Sequence, residues 1–242
     1  IFLIAGSPPA VRKDSNIIPV NDDPLGVKDV EQLVREISGY TNSRPMRRLL
    51  AGGDDEFSFS VSGAGRFRAN AFRQRGSLAA VIRVVRFDLP DPSTLGIPDT
   101  VINLTDTGKG LVLVTGPAGS GKSTTLACMV DRINRQRATH IVTMEDPIEF
   151  IHKHQKSLVT QREIDSDTES YATALRAGLR QSPDVILVGE MRDSETIETV
   201  LTAAETGTMV LATLPPTGAA NTLTRIVVSF PPTPSMQLRV PL

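Results

Sequence analysis

The segment Gly116-Pro117-Ala118-Gly119-Ser120-Gly121-Lys122-Ser123 constrains this chain more than any other, because it fits GxxxxGK[ST], a loop that cradles phosphates. The pattern needs a strand before it and a helix after it, and both are legible. Leu111-Val112-Leu113-Val114 reads as a buried strand, and a helix is expected over 122–136. Glycines let successive backbone N–H groups turn toward the β- and γ-phosphates, and the helix N-terminus adds the positive end of its dipole. Lys122 supplies a mobile cation to the β/γ oxygens, and the Ser123 hydroxyl is placed to coordinate Mg²⁺. Together with Thr124, these eight residues are the expected binding set for ATP with Mg²⁺. The bland alternative, a glycine-rich turn with a solvated lysine, gives no reason for the flanking strand and helix.

With 242 residues, 40% of them hydrophobic and 22% charged, the chain has room for one large domain or two modest ones. A net charge of −1 supplies no global attraction to nucleic acid or an anionic membrane. A single cysteine, Cys128, excludes an internal disulfide and fits a reducing cytosol. Lying in the helix after the loop, it is expected to pack as a small hydrophobe. No apolar run approaches the roughly 18 residues of a transmembrane helix, and no signal peptide is visible. Ile1–Ile4 reads as an apolar strand already under way, without an initiator methionine, and Gln237–Leu242 carries no domain-ending signal. These ends mark the chain as an expected fragment of a longer protein.

The first 87 residues differ in character from the rest. Val27, Val30, Val34 and Ile37 recur at helical spacing before Gly39, and a short helix is expected from Pro45 to Ala51. Strands follow at 57–61, 66–72 and 80–85, giving an α+β domain with an antiparallel sheet. Residues 88–98 hold three prolines and a glycine and read as a linker. From 99 to 242 strands (111–115, 141–144, 185–188, 209–213) alternate with helices (122–136, 168–179, 194–205). That alternation predicts a parallel sheet covered on both faces.

Ligands of such sheets gather at the carboxyl ends of the strands. Two acidic clusters fall there: Glu145-Asp146-Pro147-Ile148-Glu149 and Gly189-Glu190-Met191-Arg192-Asp193. A carboxylate beside a phosphate loop can hold the Mg²⁺ shell or orient the attacking water, which singles out Glu149 and Glu190. Alternatively such acids cap following helices, a role open to Glu145, Asp146 and above all Asp193. In Arg66-Phe67-Arg68 the period of two puts both guanidiniums on one strand face, and Arg83 interrupts an apolar strand. These arginines read either as a solvated sheet face with surface ion pairs or as fingers reaching phosphates across a domain or subunit boundary.

Several segments resemble those of the type IV pilus and type II secretion ATPases, hexameric motors with a RecA-like core. GPAGSGKSTTLA (116–127) is similar to their Walker A segment, TMEDPIEF (143–150) to the aspartate box, VILVGEMRD (185–193) to an atypical Walker B, and TAAETG (202–207) to the opening of a histidine box. Residues 5–12, GRFRANAF (65–72) and Gln161-Arg162-Glu163 look most like the PilT-type retraction branch. The resemblance implies a smaller PAS-like domain (1–87), a linker (88–98) and a RecA-like ATPase domain (99–242) whose C-terminal part lies beyond Leu242. By motif position, Glu149 falls on the catalytic glutamate and Glu190 on the Walker B glutamate that shares Mg²⁺ with Ser123. Arg68 and Arg83 fall on arginines that reach the nucleotide from the N-terminal domain, while Arg66 stays open.

One departure stands out. The family's histidine box carries two histidines where this chain has Thr208 and Pro215, and 213–218 is rich in turn formers. His140, His152 and His154 lie elsewhere along the chain and do not substitute. If Thr208 and Pro215 bracket a strand whose end faces the γ-phosphate, ATP and ADP should be discriminated less sharply, because neither residue can become cationic. The family's final helical subdomain and the zinc-binding insert of its extension and secretion branches would lie beyond residue 242. The resemblance thus implies an ATP-hydrolysing homohexamer that powers pilus retraction from the cytoplasmic face of the inner membrane. It would dock there on an integral platform protein and need no nucleic acid. Pilus extension or type II secretion, a nucleotide-binding regulatory subunit with little hydrolysis, and a nucleic-acid translocase are the alternatives.

Overall fold

Alternating apolar residues and turn-forming glycines shape the first part of the chain; continuous apolar runs shape the second. The computed structural model describes residues 1–41, 49, 51–85 and 89–214. The helix expected from Pro45 to Ala51 falls almost wholly outside them, as do Pro215 and everything after it. The chain divides into two compact units, Ile1–Arg86 and Phe87–Leu242.

The first unit is a six-stranded antiparallel sheet with one described helix. Its strands are β1 (Phe2–Ile4), β2 (Ala10–Lys13), β3 (Asn16–Pro19), β4 (Asp55–Val61), β5 (Gly65–Gln74) and β6 (Ser77–Val84), in the spatial order β3-β2-β1-β6-β5-β4. Helix α1 (Val27–Gly39) begins where the Gly26 amide donates to Asp29 Oδ2 at 2.8 Å. It buries Val30 and Val34 against Leu3, Phe57, Phe59, Ala69, Leu78 and Ile82. Val27, first of the expected stripe, remains exposed at the helix start. The period of two puts Phe67, Ala69 and Ala71 on the core face of β5 and Arg68 and Asn70 on the other.

The second unit carries a five-stranded parallel sheet. After a 3₁₀ turn at Pro92–Leu95 and a one-turn helix α2 (Asp99–Ile102) come β7 (Gly110–Thr115), α3 (Lys122–Gln136), β8 (His140–Glu145) and β9 (Leu158–Glu163). Then follow α4 (Tyr171–Leu179), β10 (Val185–Val188), α5 (Ser194–Glu205) and β11 (Met209–Leu214). The order β7-β11-β10-β8-β9 places the phosphate-loop strand at one edge and β9 at the other. Alternation along each strand feeds two cores. Val142, Met144, Ile186, Val188, Val210 and Ala212 pack with α4 and α5. On the opposite face Ile141, Val185, Leu187, Met209 and Leu211 pack with Met129, Val130 and Ile133 of α3. A sheet covered on both faces explains why its strands read as unbroken apolar runs.

Local signals set the helix ends. The Ser170 hydroxyl accepts from the Thr173 amide at 3.2 Å, so α4 starts at Tyr171, later than the expected 168. Asp193 caps α5, its carboxylate accepting from the Thr196 amide and hydroxyl, each at 2.8 Å. Asp193 is thus a capping residue. Leu89 and Ile97 pack against the α3-side core, which seats the described part of 88–98 on the second unit.

Candidate nucleotide site

The loop at 116–123 leaves the end of β7 and runs into α3. At Gly116 a β-carbon would lie 2.6 Å from Ser120 Oγ, so a larger residue there would force the Ser120 side chain to turn away. Gly121, the residue before α3, has φ of +92°, a conformation that L side chains rarely adopt. Lys122 Nζ donates to the Gly116 and Pro117 carbonyls at 2.9 and 3.0 Å, which holds the ammonium inside the loop's own curve. The first turn of α3 aims its unpaired amides toward the same concavity.

The carboxyl ends of β8, β10 and β11 close the rest of a cavity of about 360 Å³. Lys122, Ser123, Glu145, Glu149, Glu190 and Thr213 all line it, as does Gly119. The contact that joins loop to acids is Ser123 Oγ donating to Glu149 Oε1 at 3.2 Å. Glu190 sits on the far wall, paired with Arg192 through Nε at 2.6 Å, and Arg192 also lies 3.5 Å from Asp146 Oδ2. The exposed guanidinium therefore ties the β8 and β10 ends together, a link worth little in stability but useful in geometry. Thr213 Oγ1 donates to the Gly189 carbonyl at 2.5 Å and the Met191 amide donates to Thr213 O at 2.9 Å, so β11 braces the same turn.

Glu145 has the most perturbed carboxyl of the site. Desolvation pushes it up to about 7, repulsion from Glu149 and Glu163 adds to the rise, and hydrogen bonds from Thr143 and Gln161 oppose it. Tyr171, also in the wall, is raised by burial as well. His152 lines the cavity too, its ring held below its ordinary value by burial. Distance along the chain from the histidine-box segment set His152 aside in the sequence, but the loop after β8 folds it back. Tyr171 carried no motif signal; its place just after the Ser170 cap was the sole clue.

Arg68 and Arg83 belong to the first unit, where they are direct cross-strand neighbours. Arg68 Nε pairs with Glu56 at 2.6 Å, and both arginines line a polar hollow of about 330 Å³ with Glu56 and Asn70. Two adjacent guanidiniums repel, and one carboxylate offsets only part of that charge, so the hollow favours an anion.

For Thr208 the structure requires a correction. Its carbonyl accepts from the Gly110 amide at 3.4 Å, at the start of β7, whereas the phosphate loop follows the end of that strand. At about 3.3 Å per residue, Thr208 lies roughly 20 Å from the loop of its own chain. It cannot contact a γ-phosphate held there. Pro215 lies outside the described residues.

The oxygen donors gathered here, Ser123 Oγ with the Glu149 and Glu190 carboxylates, suit a hard cation such as Mg²⁺. Among the described residues no group of three or more His, Cys, Asp or Glu is placed to hold a metal unaided.

A phosphate loop opening a helix, acids at neighbouring strand ends and a doubly covered parallel sheet define a RecA-like P-loop nucleotide-binding domain, preceded here by an antiparallel-sheet domain. Residues 54–229 match the family model described as Type II/IV secretion system protein. The chain belongs to that family. It is 46% identical over 231 residues to the type IV pilus retraction ATPase PilT of Pseudomonas aeruginosa, covering 96% of this chain and 66% of that protein. The crystal structure of the pilus retraction motor PilT with bound ADP superimposes with a TM-score of 0.89 at 50% identity, over 100% of this chain and 70% of that one. The type II secretion system protein HxcR of the same bacterium is 42% identical over 138 residues, 55% of this chain and 29% of that protein. The chain thus spans about two thirds of the length of the pilus ATPases that it matches.

Proposed function

We propose that this chain is the nucleotide-hydrolysing part of a motor subunit that powers type IV pilus retraction. The observation that carries the reading is Ser123 of the phosphate loop meeting Glu149 across the cavity. Phosphate oxygens are charged acceptors and outcompete the neutral carbonyls that now hold Lys122, so its ammonium would transfer to the β- and γ-phosphates. Glu149, exposed at the mouth and 3.2 Å from Ser123 Oγ of the phosphate loop, would accept a hydrogen bond from the attacking water and align it. Ser123 and Glu190 would hold Mg²⁺, which when bound neutralises charge on the phosphates.

Arg68 and Arg83 would add cations to the phosphates of a nucleotide when subunits assemble, as a homohexamer on the cytoplasmic face of the membrane against an integral platform protein. The described helices include none long and apolar enough to cross a membrane. Retraction is favoured over secretion because the likeness to PilT runs along almost the whole chain, whereas the likeness to HxcR covers about half of it.

The test is Glu149→Gln in the full-length protein. Nucleotide should still bind while hydrolysis falls by about 10²-fold or more, and cells carrying the variant should extend pili without retracting them. Turnover within about threefold of wild type would remove Glu149 from the mechanism.

A further inference from the structure

Parallel pairing of β8 with β9 sets Thr143 beside Gln161 and Glu145 beside Glu163. With a period of two, all four side chains leave the sheet on the face that carries α3. Thr143 and Glu163 are buried, so their polar atoms need partners inside the protein. Those partners lie in the loop that carries Glu149. Glu163 Oε2 accepts from the Ile148 amide at 3.1 Å, immediately before Glu149. Gln161 Nε2 donates to the Phe150 carbonyl at 2.9 Å, immediately after it, and Gln161 Oε1 accepts from the His152 amide at 2.8 Å. The amide is anchored in turn, since Gln161 Nε2 also donates to Glu145 Oε1 at 3.1 Å and Thr143 Oγ1 donates to the same oxygen at 2.6 Å. Arg162, between them in sequence, points to the other face and bonds the Asp167 carbonyl at 3.2 Å.

We propose that Gln161 and Glu163 are positioning residues of the hydrolytic site, clamping the backbone on both sides of Glu149. An exposed glutamate on a loop would otherwise sample several positions, and its water with it. Bonding the Ile148 amide and the Phe150 carbonyl pins the backbone one residue before and one residue after Glu149, and Ser123 Oγ restrains its side chain from the opposite wall. The alternation Gln-x-Glu is what such a clamp requires, because only residues two apart on a strand share a face. The inference rests on the reading of Glu149 as the group that aligns water.

The experiment uses the full-length protein with ATP as substrate and ADP as the binding probe. Gln161→Ala should lower kcat by about 10- to 100-fold while ADP affinity changes less than about threefold, since a misplacement near 1 Å costs rate rather than binding. Amide exchange at His152 should accelerate in the same variant. Glu163→Gln keeps an acceptor for the Ile148 amide and should retain kcat within about threefold. The decisive arm is the double variant: in a Glu149→Gln background, adding Gln161→Ala should produce no further loss, because the clamp acts through Glu149. Should Gln161→Ala fold poorly, Gln161→Met preserves bulk, loses all three hydrogen bonds and carries the same expectation. A kcat within about threefold of wild type in the folded variant would overturn the clamp, as would an equal further loss in the Glu149→Gln background. Wild-type turnover in Glu149→Gln alone would instead sink the underlying reading of that residue, so the two failures are distinguishable.

Discussion

Glu145→Gln should make the protein more stable at neutral and alkaline pH while leaving its stability near pH 4 almost unchanged. The carboxyl of Glu145 is raised from an ordinary value near 4.5 to about 7, chiefly by desolvation. A folded-state value above the unfolded one means that the folded protein holds a proton which the unfolded chain releases. Stability is therefore lost as pH rises from about 4.5 to about 7, and no further loss follows above that window. At about 1.4 kcal/mol per pH unit, the whole loss is about 3 kcal/mol. Glutamine has the same shape, keeps the oxygen that accepts from Thr143 Oγ1 and Gln161 Nε2, and never ionises. Urea unfolding of nucleotide-free protein across this range gives the difference between variant and wild type, in which the antiparallel unit cancels. That difference should grow by about 2–3 kcal/mol in the variant's favour between pH 5 and pH 8. A difference flat to within about 0.5 kcal/mol would refute the argument and show that Glu145 is already ionised well below neutrality.

Two further outcomes follow from the loop and from the turn beside it. Lys122→Ala removes charge-assisted bonds to phosphate and should weaken nucleotide binding by about 100-fold or more in a fluorescence titration; near-native affinity would place the nucleotide elsewhere. Gly189→Ala would put a β-carbon 3.2 Å from the Met144 carbonyl oxygen and 3.3 Å from Glu145 Cα, both backbone of a central strand that cannot give way. It should cost about 1–3 kcal/mol in urea unfolding, and an unchanged midpoint would show that the β8 and β10 ends are less tightly packed than drawn.

Much of this architecture was legible because it rests on strong local rules. The strand before the phosphate loop, α3, β10 and α5 carry apolar runs or helical spacing, and each falls within a residue or so of its expected span. Strands β2, β3 and β9 were not legible. The first two are short: β3 is exposed throughout, Ile17 and Ile18 included, and β2 buries only Ala10, so no alternating apolar face marks them. In β9 only Val159 is a buried aliphatic residue, and Gln161 and Glu163 occupy the following positions on its inner face. A strand with polar residues turned inward looks like a loop to any hydrophobic pattern. The same polar residues hold the segment of Glu149, so the feature that hid the strand is the one that serves the site.

Thr208 shows the complementary limit, a motif position that linear reading could not orient. Two residues bracketing one strand invite the inference that both approach the same ligand. A parallel strand has two chemically different ends, however, and only its carboxyl end opens on the phosphate loop. The pairing of Met209 with Gly110 and of Leu214 with Thr115 fixes that polarity. Thr208 sits beside the beginning of β7, on the side of the sheet away from its own nucleotide cavity. Any influence of that position on hydrolysis must then pass through the six-residue length of β11 or across a subunit boundary. Thr213 is the residue of this strand that the fold delivers to the cavity, and its hydroxyl is committed to the Gly189 carbonyl. Thr213 is therefore the point at which β11 touches the turn that carries Glu190, and Thr208, at the opposite end of the same strand, makes no such contact.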